Sequence, residues 1–231
     1  GDQLLTLDEQ SALKPSAVQP AIKPVFTPLR SPIVYADKPN TVNDFKRQPL
    51  LVNPLSFSGP CMVKGDVNDD GLEDVFIAGS NGGPPVLYLG QKNGGFLKKP
   101  EQVFDQVSNK HIASAAIFDA NGGGNPDLYL ASGGYGDIMP DDPVLQDELL
   151  LGDGKGNFRR SENALPKMLV SKSCVRVADI NGDGYPDLFV GGRVIPGNYP
   201  EAPASYILIN DGKGHFSDQT ANICPALVKP G

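Results

Sequence analysis

Three short stretches carry the residues most able to do chemistry. Asp179-Ile180-Asn181-Gly182-Asp183-Gly184-Tyr185-Pro186-Asp187 places side-chain oxygens at positions 1, 3, 5 and 9, with Gly184 at position 6. Asp66-Val67-Asn68-Asp69-Asp70-Gly71-Leu72-Glu73-Asp74 repeats the pattern. Asp119-Ala120-Asn121-Gly122-Gly123-Gly124-Asn125-Pro126-Asp127 keeps Asp119, Asn121 and Asp127 but has Gly123 where the position-5 carboxylate belongs. Hard oxygen ligands at alternate positions around a glycine, which tolerates positive φ, suit a Ca²⁺ ion. Such a loop would bring together Asp66, Asn68, Asp70 and Asp74, or Asp179, Asn181, Asp183 and Asp187. The middle copy, one carboxylate short, is expected to bind weakly or not at all. An Asx-rich turn without metal is the alternative for each loop.

Helix-flanked calcium loops carry a bidentate Glu at position 12. Here position 12 is Ile77, Leu130 or Val190. The residues after position 9 are apolar, β-branched and aromatic runs, Val75-Phe76-Ile77, Leu128-Tyr129-Leu130 and Leu188-Phe189-Val190, each ending near glycine. These read as buried strands, so the loops join strand to strand.

The elements around the loops recur in the same order. An apolar strand precedes each loop: Cys61–Val63, Ala113–Phe118 and Cys174–Ala178. A third strand follows the buried one: Val86–Leu89, Glu148–Leu151 and Tyr206–Ile209. Then comes a glycine-rich hairpin turn leading to Phe96, Phe158 or Phe216, and Asn-Gly or Asp-Gly between apolar runs marks such turns. A weaker fourth strand closes each unit. Four antiparallel strands repeated every ~55 residues are the signature of propeller blades, which bury both apolar faces by stacking on neighbours. The fold class is therefore all-β, with blades about 57–108, 109–168 and 169–224, and the three phenylalanines act as wedges between blades.

The remaining chain is less patterned. Residues 3–10 alternate as one strand, and Pro15, Pro20, Pro24, Pro28 and Pro32 hold an extended linker. The N-terminal part, 1–56, is read as this strand and linker, with a further strand at Ile33-Val34-Tyr35. Asp44-Phe45 and Leu50-Leu51-Val52 are expected to pack on the first repeat.

With 27 acidic against 20 basic residues, the formal net charge is −7. No basic stripe for nucleic acid is visible. No apolar run approaches the ~18 residues of a membrane span. Three cysteines form no disulfide framework; Cys61 and Cys174, each five residues before a loop, read as small residues in a crowded centre. The two histidines, His111 and His215, form no catalytic constellation with the acids, which fall at ligand spacing.

The units resemble FG-GAP/VCBS repeats, the calcium-loop blades of integrin-α-like β-propellers. The pattern D-x-[DN]-x-D-G-x-x-D, a strand and an NDGKGxF turn carries this resemblance over about residues 57–222. It implies side-chain calcium ligands on the residues given above and backbone carbonyl ligands from Leu72 and Tyr185. Asp2–Leu7 is similar to the end of an ASPIC/UnbV segment, which implies a longer protein with another propeller upstream. Propellers of this family close with more blades than three, so open blade edges are sites for association.

The expected function is a non-enzymatic, calcium-binding propeller segment of a secreted, periplasmic or cell-surface protein, recognising a protein or glycan. The connections between second and third strands are long in the second and third units, and long loops on one face of a repeat array are the usual binding loops. Tyr135, Asp137, Asp141, Asp142, Arg193 and Tyr199 are the candidate contacts. Alternatives are the propeller part of a carbohydrate-active enzyme, such as a polysaccharide lyase, and a pure assembly module.

Overall fold

The structure is a computed structural model, which describes residues 26, 30–79 and 81–228. The expected strand at 3–10, most of the proline-rich linker and the Asp2–Leu7 stretch lie outside the described residues. Residues 32–231 form one compact unit.

Within that unit stand three four-stranded antiparallel sheets, each in simple sequential order. The first holds β1 (Cys61–Gly65), β2 (Asp74–Ala78), β3 (Val86–Gly90) and β4 (Phe96–Lys99). The second holds β5 (Ile112–Phe118), β6 (Asp127–Ser132), β7 (Glu148–Gly152) and β8 (Phe158–Arg160). The third holds β9 (Ser171–Ala178), β10 (Asp187–Val194), β11 (Tyr206–Asn210) and β12 (Phe216–Asp218). These are the propeller blades expected from the repeats. Short helices α1 (Asp44–Arg47), α2 (Val103–Gln106) and α3 (Thr220–Ile223) complete the regular structure.

Side-chain alternation along a strand explains the stacking. In β6, Leu128 and Leu130 pack with Phe76, Leu87 and Phe104 of the first blade. Their neighbours Tyr129 and Ala131 pack with Val175, Leu188 and Leu208 of the third. The second blade is thus apolar on both faces and buried on both. Phe158 wedges between the first two blades, stacked on Phe104 with centroids 6.2 Å apart. Phe216 does the same between the second and third, edge-on to Phe118 at 6.4 Å. Phe96, with no preceding sheet in the described residues, is half-buried.

Backbone contacts repeat along with the apolar ones. The Gly156 N–H, in the hairpin of the second blade, donates to Val67 O at 3.0 Å. Asn210 Nδ2, beside the hairpin of the third, donates to Ala120 O at 2.8 Å. Val67 and Ala120 both hold position 2 of an acidic loop and are each 1 % exposed. Ile180 holds that position in the third loop, has no following hairpin above it, and is 36 % exposed. Cys61, Cys174 and Cys224 are free thiols, and a Cβ on Gly191 would meet Cys174 Sγ at 2.7 Å, so that site is tightly packed.

The stretch 32–60 differs from the sequence reading. Residues 33–35 form no strand. Leu51 packs against Tyr135 and Val194, on the second and third blades rather than the first. Apolar character alone showed that Leu51 would be buried, but not under which loops.

Candidate metal loops and recognition face

Each acidic loop joins the first strand of a blade to the second, with its last Asp at the start of that second strand. The position-6 glycines have φ of +81° (Gly71), +77° (Gly124) and +88° (Gly184), a region that L side chains avoid. The position-1 carboxylate then collects loop amides. Asp66 accepts from Asp70 N at 3.2 Å and Gly71 N at 2.8 Å. Asp179 accepts from Gly182, Asp183 and Gly184 N at 2.7, 3.1 and 3.0 Å. Asp119 accepts from Gly123 and Gly124 N at 3.1 and 2.8 Å. Position 5 accepts from the position-7 amide, Leu72 N on Asp70 and Tyr185 N on Asp183, at 2.9 Å in both loops.

Position 9 has a second task. Asp74, Asp127 and Asp187 are fully buried. One oxygen of each accepts the position-2 amide, from Val67, Ala120 and Ile180, at 2.9 Å. The other accepts an amide at the end of the third strand, from Gly90, Gly152 and Asn210, at 2.8 Å. This Asp therefore ties loop, second strand and third strand together in every blade. Burial pushes the Asp74 carboxyl up, against its two amide donors, and Asp70 and Asp66 push it further. Burial likewise raises Asp127, with Asp119 adding to the shift.

The donor set suits a hard cation in the first loop. Asn68 Nδ2 donates to Asp70 at 3.0 Å, yet Asn68 Oδ1 is buried without a hydrogen-bond partner among the described residues. A buried carbonyl oxygen left without a donor calls for an ion or water. In the other loops the same atom is engaged, Asn121 Oδ1 by Gly123 N at 2.7 Å and Asn181 Oδ1 by Asp183 N at 3.0 Å. Among the described residues, no three Asp, Glu, His or Cys side chains converge as a metal-holding group.

The six candidate recognition residues lie at the other end of the blades, and the structure gives most of them partners. The stretch 40–58, which the sequence reading placed largely outside the repeats, straps across them. Tyr135 is 1 % exposed, its hydroxyl donating to Gln48 Oε1 at 2.5 Å and its ring under the Arg47 guanidinium at 5.1 Å. Gln48 also holds Tyr199, donating to its carbonyl at 2.6 Å and accepting from its amide at 3.2 Å. Arg193 donates to Leu55 O at 3.0 Å and to Ser58 Oγ at 2.5 Å. Asp142 accepts from Val144 N at 2.9 Å and caps a short 3₁₀ turn. Asp137 and Asp141 are the two of the six that face solvent.

The strap itself is organised by Asp44, 1 % exposed. It accepts from Leu55 N at 2.7 Å, Ser56 N at 2.8 Å and Ser56 Oγ. Ser56 Oγ in turn accepts from Gly136 N at 2.9 Å. In the sequence, Asp44 looks like any surface carboxylate.

A buried ion pair joins the end of the second blade's long loop to the first strand of the third blade. Lys172 and Asp147, both fully buried, meet at 3.0 Å. Lys172 Nζ also donates to the carbonyls of Leu145 and Met168. Asp147 also accepts from Tyr129 OH at 2.6 Å and Ser132 N at 2.7 Å. Burial lowers Lys172 and raises Asp147, and each partner opposes the other's shift.

Blades of four antiparallel strands with an acidic first loop define a β-propeller segment built from repeats. The profile of the FG-GAP-like repeat matches residues 66–130 and 124–190, together more than half of the chain, and the chain belongs to that family. No curated protein matches it. Among solved structures, an Agrocybe aegerita lectin that recognises non-reducing terminal N-acetylglucosamine is 22 % identical with a TM-score of 0.45, covering 70 % of this chain and 37 % of its own. The V. cholerae biofilm matrix protein Bap1 is 17 % identical with a TM-score of 0.29, covering 68 % of this chain and 27 % of its own. The chain thus spans well under half the length of either. Among the described residues no helix is long and apolar enough to cross a membrane.

Proposed function

We infer that this chain is a calcium-stabilised, non-enzymatic propeller segment of an exported or cell-surface protein, and that it recognises a protein or glycan through the face opposite its acidic loops. The observation that carries the calcium reading is the buried Oδ1 of Asn68, without a hydrogen-bond partner among the described residues, inside a loop whose other oxygens come from Asp66, Asp70 and Asp74. Bound calcium would supply charge neutralisation there and nothing catalytic. Asp66 and Asp70 would hold the ion and keep the loop closed, and Asn68 Oδ1 would gain a contact. The third loop, with Asp179, Asn181, Asp183 and Asp187, has the same donor set and is the second site. The middle loop, with Gly123 at position 5, is a turn held by hydrogen bonds.

Extracellular calcium modules bind with Kd of order 10⁻⁴–10⁻³ M, which suits a protein outside the cytosol. Recognition falls to the opposite face because the long loops and the strap meet there. Calorimetric titration of metal-free protein with calcium tests this reading. The expected result is two sites in the wild type and one in Asp70→Ala or Asp183→Ala. An absence of binding heat in the wild type at millimolar calcium overturns it.

A further inference from the structure

On the face opposite the acidic loops, a cavity of about 330 Å³ lies between the strap and the beginning of the second blade. Small-ligand pockets run from ~300 to ~1,000 Å³, so its size is that of a small ligand. Most polar groups nearby are consumed by the fold. Asn40 donates to Ser56 O at 2.7 Å and accepts from Val42 N at 2.8 Å, and Ser56 is spent on Asp44 and Gly136. Among the described residues, four lining side chains are not consumed. Thr41 and Asp137 make no side-chain hydrogen bond or ion pair with them, nor does the Lys38 ammonium. Asn81 donates its Nδ2 to Lys38 O at 3.1 Å, and its carbonyl oxygen has no partner among the described residues. Val42 and Ile138 supply aliphatic wall between them.

We propose that this cavity binds a neutral pyranose unit of a glycan. The inference rests on the recognition reading above and names its ligand class. Sugar hydroxyls are donors and acceptors at once, and the free groups here offer both. The Asp137 carboxylate and Asn81 Oδ1 accept; the Lys38 ammonium and Thr41 hydroxyl donate. A pyranose also has a C–H face, which Val42 and Ile138 would cover. The lining carries two carboxylates, Asp137 and Asp142, beside Lys38 and His111, so it has no excess of positive charge to favour an acidic sugar.

Saturation-transfer NMR with the methyl glycosides of glucose, galactose, mannose and N-acetylglucosamine, on calcium-loaded protein, tests this. At least one should bind with a Kd of order 1 mM, as ligand efficiency sets for a dozen heavy atoms. Asp137→Ala should weaken that binding about tenfold or more, since a charge-assisted acceptor is lost. Asn81→Ala should weaken it several-fold. Asp211→Ala, in the hairpin at the far end of the third blade, should leave it unchanged. Sugar binding that survives both cavity substitutions would leave glycan recognition standing and overturn this cavity as its site. No saturation transfer to any glycoside would overturn the pyranose assignment, while the calcium titration stands or falls independently.

Discussion

Phe158→Ala is the sharpest probe of the stacked-blade arrangement. Phe158 is 9 % exposed and fills the seam between the first two blades, against Phe104 and beside Phe76, Leu87 and Leu128. Both of its sides are walled by different sheets, so neither can collapse into the vacancy without moving a blade. Truncating a buried Phe to Ala costs about 3–5 kcal/mol. In a unit of this size, 1 kcal/mol shifts the melting midpoint by roughly 2–4 °C, so the expected loss is roughly 6–20 °C. Phe96 holds the same place in the first blade with only one sheet beside it, and Phe96→Ala should lose less than ~1 kcal/mol, as surface changes do. Calorimetric melting of the two variants beside wild type measures the contrast. Equal losses, or a Phe158→Ala midpoint within a few degrees of wild type, would refute the wedge role.

Two further outcomes follow from the buried groups. Lys172→Met strands the Asp147 carboxylate without its cation and should cost about 3–5 kcal/mol; adding Asp147→Asn should return a large part of this in urea unfolding. Burial pushes the Cys61 thiol up to about 11 from 9.0, opposed by its hydrogen bond with the Ala78 backbone. Between those values the unfolded thiol loses its proton while the folded one keeps it, so the folded state binds more protons and stability falls as pH rises. The contribution is intact below pH 9 and about 2 kcal/mol is lost by pH 11; Cys61→Ala should flatten that part of the pH–stability curve, and an unchanged curve would place the thiol in solvent.

Blade architecture was legible because its signals are local. Glycine at position 6 of each loop, Asn-Gly and Asp-Gly turns and runs such as Leu128-Tyr129-Leu130 each constrain a few neighbouring residues. Strand order follows from hairpins, and stacking follows from strands apolar on both faces. The strap was not legible, because its contacts are long-range and polar. Nothing near Asp44 or Gln48 in the sequence marks the one as buried or the other as the partner of Tyr135 and Tyr199, 87 and 151 residues away. For the same reason Tyr135 and Arg193, which look like exposed contacts on a long loop, turn out to hold the strap. The position-9 aspartates were recognisable as candidate ligands by spacing, whereas their grip on the amides of Gly90, Gly152 and Asn210 needed the register of the third strand. The cavity beside Asp137 exists only because the strap folds over the second blade, and no motif announces it.

The central claim is that calcium completes the first and third loops, and thermal melting in calcium against chelator tests it most directly. With Kd of order 10⁻⁴–10⁻³ M, about 10 mM calcium adds roughly 1.4–2.7 kcal/mol per site. Two sites raise the midpoint by roughly 6–20 °C, and Asp70→Ala and Asp183→Ala should each remove about half of that rise. A midpoint that is the same in calcium and in EDTA, on protein found free of bound metal, would contradict the claim and leave the acidic loops as hydrogen-bonded turns.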